Sequence, residues 1–247
     1  MPATLCRAGD FAILARRFAG RVAVADVVGE ITYSALMGKA AALGLRLLES
    51  GVGQGEPVAI FLRNGIAAVW ASIGTIISGA AEAALNPGLS ENDLRYCMEL
   101  ARIKHVVTGA GDAPFFRKLG AQVHVIEDIG STELRPGAFP RIPLEAWARI
   151  GFTSGTTGAP KGIVTNQRAR FAANLLQRAA MPTRPCPTSR LLLMTPFAHG
   201  ASILTHAYLD LGGCVLLLDG VDPARVLGIL ERNEVDEMFA PPTVLAK

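Results

Sequence analysis

The stretch from Gly151 to Val164 reads Gly-Phe-Thr-Ser-Gly-Thr-Thr-Gly-Ala-Pro-Lys-Gly-Ile-Val. Small hydroxyl residues (Thr153, Ser154, Thr156, Thr157) alternate with Gly155, Gly158 and Gly162, and Lys161 follows a proline. Glycine has no Cβ, so its backbone N–H can turn toward a bound group without steric cost. Successive inward N–H groups make an anion-binding concavity. Hydroxyls add hydrogen bonds to it, and a lysine adds a point charge. The chemistry suggested is a polyphosphate cradle.

A Walker A loop needs Gly-x-x-x-x-Gly-Lys-[Ser/Thr]. Here Pro160 stands five positions after Gly155, and Gly162 follows Lys161, so that template fails. A Gly/Thr linker is the bland alternative, but a linker needs neither a Pro-Lys pair nor the apolar Ile150 and Phe152 leading into it. A second candidate is Pro196-Phe197-Ala198-His199-Gly200, which follows an apolar strand pattern. Ligands of open α/β sheets bind beyond the carboxyl ends of strands, where His199 would line a pocket. An ordinary loop histidine fits that position equally well. No Ser-His-Asp or Cys-His arrangement stands out. His105, His124, His199 and His206 are scattered and offer no metal-ligand pair.

Thr153 to Gly162 closely resembles the phosphate-binding signature of the adenylate-forming (AMP-binding) enzymes: acyl- and aryl-CoA synthetases, peptide-synthetase adenylation domains and luciferases. Pro196-x-x-His199 resembles the segment whose histidine borders that family's acyl and adenylate pockets, with Ala198 where an aromatic is common. Asn86-Pro87-Gly88 resembles the family's Asn-Pro turn and is read as structural; Phe239 to Thr243 resembles the strand end near the acyl pocket, and a pure packing role fits it at least as well. Most of the chain resembles the first half of the large N-terminal domain of an acyl-CoA synthetase. The resemblance implies ATP-dependent activation of a fatty or aryl carboxylic acid to acyl-adenylate, then transfer to CoA. It implies that Thr153, Ser154, Gly155, Thr156, Thr157, Gly158 and Lys161 hold the β- and γ-phosphates. It places His199 in catalysis and Mg²⁺ with the ATP, and it assigns no metal ligand to this chain.

The family's later elements are a Tyr-Gly-x-Thr-Glu segment, a ribose-binding Asp, a hinge and a lid domain with a catalytic Lys. None of them occurs before Lys247. The expectation is therefore a partial AMP-binding domain over 1–247 without a lid: a first α/β part over 1–165 ending in the phosphate loop, and the start of a second over 166–247. The alternative is a non-catalytic nucleotide- or acyl-binding fragment that needs a partner chain. Either way, the 247 residues alone are expected to be inactive and to oligomerise or dissolve poorly.

Composition sets the outer bounds. Half of the 247 residues are hydrophobic and 18% are charged, enough for a sizeable core. A net charge of +3 with dispersed basic residues gives no footprint for nucleic acid. The cysteines Cys6, Cys97, Cys186 and Cys214 lie far apart, which suits isolated thiols in a reducing compartment. The N-terminus has no signal-peptide pattern, because Arg16-Arg17 interrupts its short apolar run; a cytoplasmic location is expected. Ile66 to Leu85 holds one acid, Glu82, and no Lys or Arg. Its Ala, Ser and Gly content suits a buried helix followed by a buried strand better than a membrane span.

The elements that must position these residues alternate. Strands are expected at Val22–Val28, Glu30–Tyr33, Pro57–Leu62, Ala80–Leu85, Lys104–Thr108, Gln122–Glu127, Arg149–Thr153, Arg190–Thr195, Cys214–Leu218 and Val235–Ala240. Helices follow Ser34, Gly65, Ser90, Asp112, Asn166, Ala201 and Asp222 as caps or starts, with a short one at Phe11–Phe18 and another opening at Pro241. Asp128 to Trp147 reads as a surface connection, and Gly151 to Gly162 as an exposed loop between a strand and the helix near Asn166. The repeated strand–helix order argues for a layered αβα fold with largely parallel sheets.

Overall fold

The computed structural model describes residues 3–154, 160–232 and 234–242. In order, β1 (Thr4–Leu5), α1 (Arg7–Arg17), β2 (Val22–Ala25), β3 (Glu30–Thr32), α2 (Tyr33–Glu49), β4 (Pro57–Phe61), α3 (Ile66–Ser78) and β5 (Ala81–Ala84) open the chain. Then come α4 (Glu91–Leu100), β6 (His105–Thr108), α5 (Ala113–Lys118), β7 (Gln122–Val125), β8 (Ile142–Pro143), β9 (Trp147–Ser154) and β10 (Pro160–Asn166). The last elements are α6 (Gln167–Ala180), β11 (Arg190–Leu193), α7 (Ser202–Leu209), β12 (Cys214–Leu217), α8 (Pro223–Glu231) and β13 (Glu237–Phe239).

Two sheets carry the fold. One has six strands in the order β10-β9-β5-β4-β6-β7, the other five in the order β13-β11-β12-β2-β3. Among the described residues, every pairing within these two sheets is parallel except β9–β10 and β2–β3. The central strands are apolar on both faces, as parallel strands between helices must be; Val58, Ala59, Val215 and Leu217 are fully buried. Helices α2 and α3 pack between the sheets, burying Leu36, Met37, Leu43, Ile73 and Ile77 in one core with Val24 and Leu193. A second core lies under α4 and α5, and a third, with Ile229, under α8. The result is a layered α/β architecture. The β2–β3 hairpin, early in the chain, sits in the same sheet as β11 to β13 from its end.

Local chemistry sets most helix starts. The side chains of Ser90, Asn166 and Asp222 accept from backbone N–H groups of Asp93, Ala169 and Ala224 at 3.2, 2.9 and 3.1 Å, as N-caps do. Gly51 takes the expected left-handed conformation after α2, with φ +80°. Helix α2 itself begins two residues earlier than expected. Thr32, not Ser34, is its cap, accepting from the Ala35 N–H at 3.3 Å. Tyr33 is already helical and fully buried, its hydroxyl donating to the carbonyls of Gly213 and Leu209 at 2.7 and 3.1 Å.

Two further expectations need correction. The segment from Asp128 to Trp147 is not merely a surface connection: Ile129, Phe139 and Ile142 are buried, and β8 pairs with β1, two strands that the sequence did not suggest. The described part of Gly151–Gly162 is not a loop. Strand β9 runs to Ser154 and β10 starts at Pro160, pairing antiparallel with Lys161 opposite Thr153. The helix expected to open at Pro241 lies largely outside the described residues.

The crossing of α2 and α3 depends on two glycines. A Cβ on Gly74 would stand 2.8 Å from the Ala40 carbonyl oxygen and 3.0 Å from Leu43 Cβ. One on Gly44 would stand 3.1 Å from the Gly74 carbonyl and 2.9 Å from the Phe139 ring. Gly74→Ala gains about 1 kcal/mol in helix propensity, against about 1–3 kcal/mol for overpacking a tight contact. The contact is with backbone, which cannot swing aside, so the variant should unfold at a lower denaturant midpoint with unchanged m. A midpoint equal to or above that of the parent would show that the two helices part without cost.

Candidate functional site

Parallel strands all end on one edge, and the candidate residues gather there. Beyond the end of β5 lie Asn86, Pro87 and Gly88; Thr153 is next to last on β9, and Pro160 opens β10. After β11 the chain makes a wide turn over Phe197–Ala201, in which His199 has non-helical φ −111° and ψ −127°. These segments enclose a cleft of about 440 Å³ lined by Ala84, Asn86, Leu89, Phe152, Thr153 and His199. Thr153 and Lys161 are exposed and face each other across the β9–β10 pair. Of Ser154 only the backbone is described, and Gly155, Thr156, Thr157 and Gly158 lie outside the described residues. A smaller cavity of about 150 Å³ borders Arg149, Arg170, His206 and Phe171 but includes neither Thr153, Lys161 nor His199.

His199 is held from its ring. Asn86 Oδ1 accepts from the Gly88 N–H at 2.9 Å, which fixes the orientation of the amide. Asn86 Nδ2 therefore donates to His199 Nε2, 3.4 Å away. With Nε2 accepting, a neutral His199 carries its proton on Nδ1. The Asn-Pro turn that reads as structural thus also orients the ring.

Behind the turn sits a buried ion cluster. Glu82, 1% exposed in the middle of β5, is the register partner of Arg149 on β9. Its carboxylate accepts from Arg170 Nη2 at 2.7 Å and from Ser72 Oγ at 3.0 Å, and it lies 3.8 Å from Arg149 Nη1. Burial pushes this carboxyl up, but Arg170 and Arg149 outweigh burial and hold it down at about 2. Because the Ser72 hydroxyl proton is spent on Glu82, His206 Nε2, 3.2 Å from Ser72 Oγ, must be the donor in that contact. Burial, reinforced by Arg170, pushes the His206 imidazole down to about 3. Arg149 reaches onward: Nη1 donates to Ser202 Oγ at 2.6 Å and Nη2 to the Ala198 carbonyl at 2.7 Å.

None of Glu82, Arg149, Arg170, Ser72 and His206 was among the expected site residues. One signal was available, since a lone acid in the apolar run Ile66–Leu85 must find a cation if it is buried. Two of the histidines, distant in sequence, are neighbours in the fold. His105 and His124, on neighbouring strands β6 and β7, are buried with Nδ1 and Nε2 3.3 Å apart, so they do form a pair. Among the described residues no third His, Cys, Asp or Glu joins them to make a metal-binding group. All four cysteines are free, Cys97 and Cys214 buried and Cys186 exposed. No described helix is long and apolar enough to cross a membrane.

Comparison with known proteins adds the following. The sequence profile described as "AMP-binding enzyme" matches residues 11–247. The nonribosomal peptide synthetase flvI of Aspergillus flavus is 28% identical over 218 residues, which is 87% of this chain and 20% of that protein. The isonitrile lipopeptide synthase of Streptomyces coeruleorubidus is 34% identical over 167 residues, 64% of this chain and 11% of that protein. Among solved structures, o-succinylbenzoate coenzyme A synthetase (MenE) from Bacillus subtilis with AMP superposes with TM-score 0.81 at 21% identity, covering 100% of this chain and 63% of that one. ATP-bound MatB from Rhodopseudomonas palustris gives TM-score 0.82 at 24% identity, covering 96% and 50%. The chain thus spans about half to two thirds of these solved chains and a fifth or less of those two synthetases.

The buried imidazoles set an acid limit on stability. His206, and His124 at about 4, have folded values below the 6.5 of an unfolded histidine. The unfolded state therefore takes up protons first, and stability present above pH 6.5 is lost as pH falls toward 4 and 3. Glu82 adds to the loss only between 4.5 and about 2. Denaturant midpoints measured from about pH 7 down to about pH 5 should fall steadily; a flat profile would show that these imidazoles reach water in the folded protein.

Proposed function

The chain belongs to the AMP-binding enzyme family, and from that premise we propose that it is part of a ligase that uses ATP to activate a fatty or aryl carboxylic acid and passes the acyl group to CoA. The observation that carries this reading is the meeting, in one cleft at the strand ends, of the strand that delivers the Thr153–Gly162 motif with His199. Thr153, Ser154, Gly155, Thr156, Thr157, Gly158 and Lys161 would hold the β- and γ-phosphates, while the carboxylate attacks the α-phosphate and pyrophosphate leaves. Catalysis of this kind is mostly positioning and charge neutralisation. His199, its Nε2 turned to Asn86 Nδ2, would line the acyl side of the cleft. CoA supplies the thiol that accepts the acyl group.

Mg²⁺ prefers phosphate oxygens with few carboxylates. The described residues do not by themselves make a site for it. Asp93, the carboxylate beside the cleft, is engaged by Ser90 Oγ at 2.7 Å, and no three His, Cys, Asp or Glu side chains converge among the described residues. The ion would arrive with the nucleotide.

A second reading, activation of an amino acid, is favoured by the peptide and lipopeptide synthetases among the relatives at 28–34% identity. Against it, an α-ammonium group needs a free carboxylate beside it; the turn from Pro196 to Ser202 carries no acid, and Asp93 beside the cleft is engaged by Ser90 Oγ at 2.7 Å. Exchange of pyrophosphate into ATP by the intact enzyme, driven by panels of fatty, aryl and amino acids, separates the readings. Exchange with amino acids alone would overturn the acyl reading, and exchange with none would favour a non-catalytic nucleotide- or acyl-binding subunit that needs a partner.

Lys161 gives a second test. A charge-assisted hydrogen bond is worth about 1.5–3 kcal/mol. In the intact enzyme, Lys161→Ala should therefore weaken ATP or pyrophosphate binding roughly ten- to hundredfold by calorimetry. Because Lys161 is exposed on β10, the fold should be unaffected. Unchanged affinity would assign its ammonium to solvent.

A further inference from the structure

We propose that Arg149, fixed by Glu82, is a positioning residue that sets the His199 turn for the activation step; this rests on the role given to His199 above. The turn needs an outside anchor. His199 breaks the helical trace between Phe197 and Ala201, so regular helical hydrogen bonding does not dictate the direction of its side chain. Arg149 supplies the anchor from the adjoining sheet. Its Nη2 donates to the Ala198 carbonyl at 2.7 Å and points at the His199 carbonyl, 3.4 Å away. Its Nη1 donates to Ser202 Oγ at 2.6 Å, and that hydroxyl donates in turn to the His199 carbonyl at 3.0 Å. The carbonyls on both sides of His199 are thereby fixed, and with them the two peptide planes that aim its Cβ.

The guanidinium is in turn held in place. Arg149 and Glu82 are register partners on adjacent parallel strands, and the side chain of Arg149 is 15% exposed. Arg170 closes the other side, with Nη2 on Glu82 at 2.7 Å and Nη1 on the Ala148 carbonyl at 3.0 Å. A planar fork with fixed donors can serve two carbonyls and a hydroxyl together, whereas a lysine ammonium is a flexible point charge. Asn86 then meets a ring whose backbone is already placed.

The test uses Arg149→Met, Arg149→Lys and Ser202→Ala, read by nitrogen-15 NMR of the histidine rings, with His199→Gln assigning the resonance. In Arg149→Met the His199 ring should lose its Nδ1–H signature and move toward a solvent-averaged tautomer mixture, while His105 and His124 stay in place. In the intact enzyme its kcat for pyrophosphate release should drop about ten- to hundredfold, the usual cost of a misplaced group, with KM for ATP held within about twofold. Arg149→Lys should restore the fold but not the tautomer signature. A folded Arg149→Met protein with an unmoved His199 resonance overturns the proposal. If that variant does not fold, Ser202→Ala decides: it keeps every charge and removes one link to the His199 carbonyl, so it must shift the same resonance, and no shift overturns the proposal. Full activation by His199→Gln, with the resonance still responsive to Arg149→Met, would refute the role of His199 and leave the positioning intact.

Discussion

A carboxylate cut off from water must be neutralised where it stands, and in this fold that demand falls on Glu82. The effective cost of burying one ion is several kcal/mol even after relaxation. Here it is offset by two guanidiniums and a hydroxyl that come from β9, α6 and α3. The cluster therefore ties the centre of the six-stranded sheet to helices on either side of it in sequence. Such a cluster specifies more than it stabilises, because well-packed apolar residues in its place are often no less stable. Side chains alternate along a strand, so a one-residue slip of β9 against β5 would carry Arg149 to the opposite face and leave Glu82 unanswered.

That register also fixes the cleft. Arg149, Gly151 and Thr153 share one face of β9, so the residue that answers Glu82 and the residue that opens the motif point to the same side. Strand β10 returns from the motif antiparallel to β9 and runs straight into the Asn166 cap of α6. The described ends of the Gly/Thr-rich segment are thus held by a hydrogen-bonded ladder. The β11 turn closes the cleft from the other sheet, and Asn64 reinforces it, its amide donating to the Thr195 and Leu218 carbonyls at 2.8 Å and accepting from the Phe197 N–H at 2.7 Å.

The sequence was most legible where the physics is local. Ser90, Asn166 and Asp222 cap helices because their short side chains reach N–H groups two or three residues away, and Gly51 ends α2 because it tolerates positive φ. The apolar strands and the parallel order followed from continuous hydrophobic runs separated by helical spacing. What stayed hidden depends on which strands become neighbours. His105 and His124 meet only because β6 lies beside β7, and Glu82 finds Arg149 only because β5 lies beside β9. The strand character of Lys161 to Asn166 was masked by the glycines and hydroxyls around it, which read as loop. Thr32 and Ser34 are equally good caps on paper, and the fold selects Thr32, which accepts from the Ala35 N–H while Tyr33 is drawn into the core.

The β2–β3 hairpin has a consequence for how the chain assembles. It is made within the first 32 residues, yet its parallel neighbour β12 spans Cys214–Leu217. Until the segment carrying β12 has been made, the hairpin must wait with one edge of β2 unpaired. A contact between segments so far apart raises contact order, and loop closure on that scale slows folding. An open apolar strand edge is also a template for pairing with the wrong chain. The packing of α1 and α2 against the hairpin, through Phe11, Phe18 and the fully buried Tyr33, holds much of it in a local unit during that interval. Chaperone demand during synthesis would then be set by the wait for β12, rather than by the six-stranded sheet, whose strands lie closer together along the chain.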